Sequence, residues 1–167
     1  MQPERRAQRE RLALRGALLR LTPPLEAVAE DVLGLVSRID LVARDPDGAV
    51  TLVLVASAGA DLARLGECIA QRVWLEPRLA DWNQLAPHLG LAPERGVRVL
   101  LVAPRFDERT RAAASALGPD LVHLAERVPR GDLDIDLHLL EAPLATPLHA
   151  PSAEPRAETG FRTGLRD

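Results

Sequence analysis

The sequence predicts an α/β (α+β) fold in which a mixed β-sheet is flanked by helices. Two apolar runs, residues 39–43 and 50–56, lie on either side of Asp-Pro-Asp-Gly at 45–48. This pattern predicts a β-hairpin, because glycine takes a positive φ without a steric clash. The second run and a later one at 97–103 are apolar at nearly every position, which is typical of strands buried on both faces. A helical pattern over 61–89 separates them, so we expect a right-handed crossover between two parallel strands.

The composition is that of an ordinary globular protein, with 47% hydrophobic and 27% charged residues among 167. No apolar run approaches the roughly 20 residues that span a bilayer, and the first residues are charged, so we expect a cytoplasmic protein. The single cysteine, Cys68, lies in a predicted helix and is expected to be a buried hydrophobic residue. All 21 basic residues are arginine, which excludes mechanisms that need a lysine amine.

Residues 1–22 form the first predicted unit, an arginine-rich helix that ends before a Pro-Pro pair. Six Arg and two Glu give residues 1–20 a charge of +4, which leaves −7 for the remainder of a chain whose net charge is −3. The arginines form either a solvated face or, alternatively, a nucleic-acid-binding face. The candidates for that face are Arg5, Arg6, Arg9, Arg11 and Arg15. The expected apolar side consists of Leu12, Leu14, Leu18 and Leu19.

Residues 23–142 form the predicted α/β domain. Its first strand is expected within 25–36, directly before the hairpin. Asp61 is expected to cap the helix that follows the hairpin, and Pro77 to interrupt that helix. The apolar positions that give this helix its spacing are Leu62, Leu65, Ile69 and Val73.

The second half of the domain is predicted to continue from the strand at 97–103 into a short helix. Asp107 begins this helix, which ends at Leu117. A short strand is expected at 121–125 and a half-buried strand at 132–141. Its aspartates, at 132, 134 and 136, resemble the start of a calcium-binding loop, but a leucine replaces the glycine that such a loop requires. We therefore expect these aspartates to form a solvated strand face whose charge discourages pairing with another strand.

The last predicted unit, residues 143–167, is rich in Pro, Ala, Ser, Thr and charge, so we expect a disordered tail. Phe161 and Leu165 stand four residues apart near its end. Isolated apolar residues beyond a flexible spacer are typical of short docking peptides, which makes these two residues candidates for contact with a partner. The alternative is an inert terminus.

Residues 39–48, Ile-Asp-Leu-Val-Ala-Arg-Asp-Pro-Asp-Gly, carry a resemblance to a known superfamily. Together with the run at 99–104 and the helix after it, they resemble the restriction-endonuclease-like PD-(D/E)XK nucleases, and are closest to bacterial nuclease-like domains. The resemblance covers about residues 20–126. It implies a mixed sheet flanked by helices and a site in which two carboxylates hold Mg²⁺ and a lysine positions the attacking water.

The resemblance also implies that this site is degenerate. Asp40 matches the first acid, whereas Leu54 stands in place of the second acid and Ala56 in place of the lysine. Gln71 lies near the position where such domains often carry a glutamine. A migrated acid, Glu67 or Glu30, could restore two carboxylates, but the chain has no lysine to migrate. Since one carboxylate alone rarely holds Mg²⁺ against its waters, we expect a pseudonuclease with no metal and no cofactor.

Three functions are compatible with this sequence. The first is a protein-interaction, scaffold or regulatory domain that has kept the nuclease fold and lost its chemistry, with another protein as its partner. The second is a nucleic-acid-binding module that uses the N-terminal arginines, and the third is a divergent Mg²⁺-dependent nuclease. Acidity beyond residue 20 and the scarcity of aromatic residues weigh against the second, and the missing ligands against the third. Whether the chain forms homo-oligomers is left open.

Overall fold

The computed structural model describes residues 3–118, 120–131 and 134–141, and their side chains from residue 8 onward. This part of the chain contains four α-helices and six strands. Within it, no helix combines the length and the apolar character that crossing a bilayer requires. In order, the elements are α1 (Pro3–Leu19), β1 (Glu26–Leu33), β2 (Arg38–Arg44), β3 (Val50–Val55), α2 (Asp61–Leu75), α3 (Leu79–Leu85), β4 (Val97–Ala103), α4 (Glu108–Leu117), β5 (Val122–Pro129) and β6 (Ile135–Leu140).

The strands form one mixed sheet in the order β1-β2-β3-β4-β5-β6. Strands β1, β2 and β3 are antiparallel, β3, β4 and β5 are parallel, and β6 returns antiparallel to β5. The helix α2 connects the parallel strands β3 and β4, as the apolar runs predict. This sheet with its flanking helices confirms the predicted α/β class, and it is the architecture that the resemblance to restriction-endonuclease-like nucleases implies.

The hairpin between β2 and β3 forms where it was predicted. The buried carboxylate of Asp45 accepts hydrogen bonds from the backbone N–H groups of Asp47 and Ala49, both at 2.9 Å. Gly48 has φ +83°, and a Cβ at this position would lie 2.7 Å from the carbonyl oxygen of Gly90. Glycine is therefore required both by the turn and by the close approach of the loop after α3.

Apolar residues cover both faces of the sheet. Helix α2 closes the larger core on one face, and α1 packs on the other face through Leu14 and Leu18. Strands β3 and β4 supply buried residues to both faces, which explains why their sequences read as continuous apolar runs. The larger core includes Ile39, Val42, Leu52, Leu54, Leu65, Cys68, Leu75, Val99 and Leu101, and the smaller one Leu41, Ala43, Val53, Leu100, Val102 and Ala125.

The apolar faces of α1 and α2 differ from those expected. In α1, Leu14 and Leu18 are buried as predicted, but Leu12 and Leu19 are exposed. Helical geometry explains this, because residues four apart share a face, and Leu12 and Leu19 lie off the line that Leu14 and Leu18 define. In α2 the prediction is wrong for two positions, Leu62 and Val73, which are exposed; the buried positions include Leu65, Cys68, Gln71 and Leu75.

Asp61 does not cap α2 as predicted. It is the first residue of the helix, is buried, and accepts a hydrogen bond from the backbone N–H of Asp107 at 3.1 Å. Asp107 begins α4 as predicted, because its carboxylate accepts from the backbone N–H of Thr110 at 2.7 Å. This bond lowers the pKa of Asp107. Asp61 therefore joins the starts of two helices, a contact between distant segments that local sequence does not encode.

The end of the sheet also differs in detail. Strand β5 continues to Pro129, beyond the predicted 121–125, because β6 pairs with its second half. Asp134 and Asp136 are not simply solvated, since both lie beside Arg20, with N–O distances of 2.9 and 3.4 Å. Arg20 follows α1, so this ion pair ties the N-terminal segment to the edge strand. The predicted tail, 143–167, lies outside the described residues.

Candidate functional site

Asp40, the residue that matches the first acid of the nuclease motif, lies near the start of β2. It lies one residue before Leu41, which pairs with Val53 in the ladder between β2 and β3. Its Oδ2 atom accepts hydrogen bonds from the backbone N–H of Val55 at 2.7 Å and from Nη2 of Arg64 at 3.1 Å. The side chain is 33% exposed. The carboxylate is thus held at the end of β3 and stays accessible to solvent from one side.

Arg64, on the first turns of α2, joins Asp40 to a second carboxylate. Its Nη1 atom donates to the carboxylate of Glu67 and to Oγ of Ser37, and its Nε donates to the carbonyl oxygen of Val55. The Ser37 hydroxyl in turn donates to Glu67 at 2.9 Å. Burial lowers the pKa of Arg64, but its hydrogen bond to Glu67 and the charge of Asp40 raise the pKa, and the net shift is upward. The guanidinium is therefore a permanent positive charge at this site.

The position of Arg64 has a chemical consequence. Two carboxylates that face one another at the end of a strand are a site for a hard divalent cation. In this protein the positive charge between Asp40 and Glu67 is a side chain of the chain itself, 20% exposed. Glu30, the other migrated acid considered, lies elsewhere and pairs with Arg15 at 2.5 Å. The described residues contain no group of three or more His, Cys, Asp or Glu side chains that could hold a metal ion.

Leu54 and Ala56 are the residues that the sequence resemblance aligns with the second acid and the lysine of a PD-(D/E)XK site. Leu54 is 0% exposed and Ala56 is 2% exposed, and both belong to the core beneath α2, together with Leu65 and Cys68. Burial raises the pKa of the Cys68 thiol to about 12, so it stays protonated. This part of the fold is apolar core and offers no ligand oxygen at either of the two replaced positions.

Gln71, named as a remnant of the family site, is fully buried and holds the turn between β1 and β2. Its amide oxygen accepts from the backbone N–H of Leu35 at 2.8 Å, and its amide nitrogen donates to the carbonyl oxygen of Ser37 at 2.6 Å. A Cβ on Gly34 would lie 2.0 Å from the same amide oxygen. Gln71 therefore acts as a clamp, and any side chain at position 34 would displace its amide from these hydrogen bonds.

The clamped turn displays three apolar side chains to solvent. Leu33 is 71% exposed, Leu35 61% and Val36 58%, and only Gly34 interrupts them. Their backbone is fixed by Gln71 and by a bond from the N–H of Gly34 to the carbonyl oxygen of Ser37. Large exposed apolar residues that lie close together and are rigidly held are more typical of contact surfaces than of ordinary solvated turns.

A cleft of about 290 Å³ opens beside Asp40, between α1 and the sheet. It lies at the carboxyl ends of the parallel strands β3 and β4, and Val55 and Val102 from these strands line it. Leu14 and Ile135 complete its apolar lining. The charged side chains that line it are Glu10, Arg11, Asp40 and Arg127.

The structure separates the five arginines that were candidates for a nucleic-acid face. Arg15 is ion-paired with Glu30, Arg9 is also engaged in an interaction, and Arg11 lines the cleft. The side chains of Arg5 and Arg6 lie outside the described part of the chain, as do the docking candidates Phe161 and Leu165. The described arginines of α1 thus do not act as one uniform face.

The sequence analysis named Asp40, Glu67 and Gln71 as candidates but did not name Arg64, Ser37 or Arg127. Arg64 and Glu67 stand three residues apart on a helix that begins just after β3, which is the spacing of an i,i+3 ion pair. That spacing could have indicated that Glu67 already has a counter-charge. For Arg127 no such local signal exists, because its place in the cleft depends on the pairing of β5 with β4 and β6.

Two solved structures resemble this fold. A crystal structure of a repair endonuclease from Pyrococcus abyssi aligns with a TM-score of 0.45 and 13% sequence identity over 78% of this chain and 49% of that one. The structure of an EndoMS–dsDNA2 complex aligns with a TM-score of 0.40 and 14% identity over 75% and 46% of the two chains. The chain therefore spans about half the length of these proteins. No family model and no curated protein matches the sequence.

Proposed function

We propose that this chain is a catalytically inactive nuclease-like domain that acts as a protein-interaction or regulatory module. The observation that carries the proposal is Arg64, whose guanidinium lies between Asp40 and Glu67 and bonds to both. A metal-dependent nuclease needs a divalent cation at such a place, both to activate water and to stabilise charge on the phosphate. A guanidinium balances the carboxylates but has no open coordination position for water or phosphate.

The replaced positions support the same conclusion. Leu54 and Ala56 are packed into the core beneath α2, and their hydrocarbon side chains have no oxygen or nitrogen atom that could bind a cation beside Asp40. The chain has no lysine that could take the role of the missing amine. A return to catalysis would require Arg64 to leave the site and a second acid to replace Leu54.

A role in protein interaction is supported by the turn that displays Leu33, Leu35 and Val36. A rigid surface loses little conformational entropy on binding, and Gln71 provides this rigidity from inside the domain. We infer that these three residues, which we call the apolar turn, contact the partner. The buried clamp then links the former active-site region to the binding surface, because Ser37 bonds to both Gln71 and Glu67.

Catalytic silence is tested by incubating the purified chain with supercoiled plasmid in Mg²⁺ and in Mn²⁺. The expected result is intact plasmid for wild type and for Asp40→Ala alike, because a single carboxylate paired with arginine cannot hold the metal. Cleavage by wild type that disappears in Asp40→Ala would refute the proposal. A gel-shift titration on generic DNA, carried out in the same preparation, is expected to give no salt-dependent complex; a salt-sensitive shift would favour the nucleic-acid-binding alternative.

The interaction surface is tested by comparing partners captured by wild type and by two exposed substitutions. Leu35→Asp places a charge on the apolar turn, whereas Val73→Asp places one on an equally exposed position of α2. Partners that are recovered with wild type and with Val73→Asp, but lost with Leu35→Asp, are the expected result. Equal recovery with all three chains would show that the apolar turn is not the binding surface.

A further inference from the structure

The cleft beside Asp40 contains two arginine side chains that have no partner within the described part of the chain. Arg11 comes from α1 and Arg127 from β5, and both line the cleft and are half-buried. Neither makes a hydrogen bond or an ion pair with a described residue. Most other described arginines are paired, including Arg15, Arg20, Arg38, Arg44, Arg64, Arg72 and Arg111.

Half-buried guanidinium groups without a partner are costly, because they lose part of their hydration and gain no hydrogen bond in return. Two of them in one cleft, brought from elements more than a hundred residues apart in the sequence, favour a ligand that supplies the missing negative charge. Guanidinium donors match the oxygens of phosphate and carboxylate groups, and they can bind these groups bidentately.

The two acids of the cleft do not satisfy these arginines. Asp40 is bonded to Arg64 and to the backbone of Val55, and Glu10 also takes part in an interaction, whereas neither Arg11 nor Arg127 does so with any described residue. The floor is apolar, built from Leu14, Val55, Val102 and Ile135. A volume of about 290 Å³ corresponds to the lower end of the range of small-molecule sites, and the carboxyl ends of parallel strands are a usual place for them.

We propose that this cleft binds a compact dianionic small molecule, a phosphate monoester or a dicarboxylate, through Arg11 and Arg127. The ligand's anionic groups lie between the two guanidinium groups, and its carbon skeleton lies on the apolar floor. Binding needs no metal, since both charges that hold the ligand come from the chain. The site is independent of the apolar turn, and a ligand in it bridges α1 to the sheet and so stabilises the folded domain.

The test is a titration of the full chain in buffer free of phosphate and sulfate. Binding is measured by calorimetry and by the shift of the thermal unfolding midpoint. The probes are inorganic phosphate, a nucleoside 5′-monophosphate, succinate, and a short single-stranded oligonucleotide without a terminal phosphate. Binding of the monophosphate and phosphate identifies a phosphate monoester as the ligand class, whereas binding of succinate alone identifies a dicarboxylate. Binding of the oligonucleotide alone, or of none of the four, overturns the proposal.

Three variants assign the binding to the cleft. Arg11→Ala and Arg127→Ala are each expected to weaken binding tenfold or more, roughly the effect of losing one charge-assisted hydrogen bond. Arg95→Ala is the matched control, because Arg95 precedes β4 at the opposite end of the strand and has only an exposed pairing with Asp47. Wild-type affinity in both cleft variants would overturn the proposal. If an alanine variant unfolds, Arg→Gln at the same position keeps the aliphatic stem and is expected to show the same loss.

Discussion

Replacing Leu54 with glutamate tests the account of the core beneath α2. Leu54→Glu introduces an acid where the sequence resemblance predicts one, but it places that acid at a site that is 0% exposed and belongs to the same apolar core as Leu65, Cys68 and Leu101. Arg64, which bonds to the carbonyl oxygen of the neighbouring Val55, already uses its donors on Asp40, Glu67 and this backbone group. The new carboxyl group therefore has no partner in the fold.

The size of the effect follows from two contributions. Losing the buried leucine costs roughly 2 kcal/mol of the free energy of unfolding. At pH 7 the carboxyl must take up a proton to stay buried, which raises its pKa from about 4.3 to above 7 and costs about 4 kcal/mol. The total of about 6 kcal/mol is comparable to the entire stability of a small domain, about 5–15 kcal/mol.

The assay is denaturant unfolding of Leu54→Glu beside Leu54→Gln, which has nearly the same size and no charge. A carboxyl group whose pKa is raised in the folded state destabilises the fold increasingly as pH rises above its unfolded-state value. Stability of Leu54→Glu should therefore recover by roughly 1.4 kcal/mol per unit between pH 7 and pH 5, whereas Leu54→Gln should not show this recovery. A free energy of unfolding for Leu54→Glu within about 1 kcal/mol of the wild-type value at pH 7 would refute the burial argument.

Three further predictions concern the contacts around the site. Arg64→Met leaves Asp40 and Glu67 facing each other without a counter-charge and should lower the unfolding free energy by about 1–3 kcal/mol, measured by denaturant midpoint; an unchanged midpoint would contradict the bridging role. Gly34→Ala should lower the free energy of unfolding by more than about 2 kcal/mol in wild type, because its Cβ would lie 2.0 Å from the Gln71 amide oxygen. The same substitution should lower it much less in a Gln71→Ala background. Additive losses in the double variant would contradict the proposed clamp. Cys68, whose pKa is raised to about 12 by burial, should resist thiol alkylation at pH 8 until the chain is unfolded, and rapid labelling of the native chain would show that it is not buried.

The strands were largely predictable because their signals are local. The Asp-Gly turn and the apolar runs of β3 and β4 each lie within a few neighbouring residues, and the observed strand Val97–Ala103 has the predicted bounds. The faces of α1 and α2 were less predictable. In helices this rich in Leu and Ala, several stripes satisfy a three-to-four spacing, and only the sheet beneath decides which one is buried.

The candidate site was predictable only in part. Asp40 could be named as a candidate because its whole motif lies on one hairpin, but the contacts of Arg64 depend on where α2 begins relative to the end of β3. Asp61 shows the same limit, since its partner is the backbone N–H of Asp107, 46 residues later. Contacts between distant segments fix both residues, and a single sequence does not contain that information.

The central claim is that Arg64 takes the place of a metal ion. Its most direct test is a Mn²⁺ titration of the isotope-labelled chain, in which metal binding is detected by paramagnetic broadening of the backbone NMR signals. Wild type is expected to show no saturable broadening around Asp40 and Glu67, because their carboxylates are already bonded to Arg64. Saturable broadening centred on Asp40, lost in Asp40→Ala and retained in Arg95→Ala, would show that the site still holds a metal and would contradict the account.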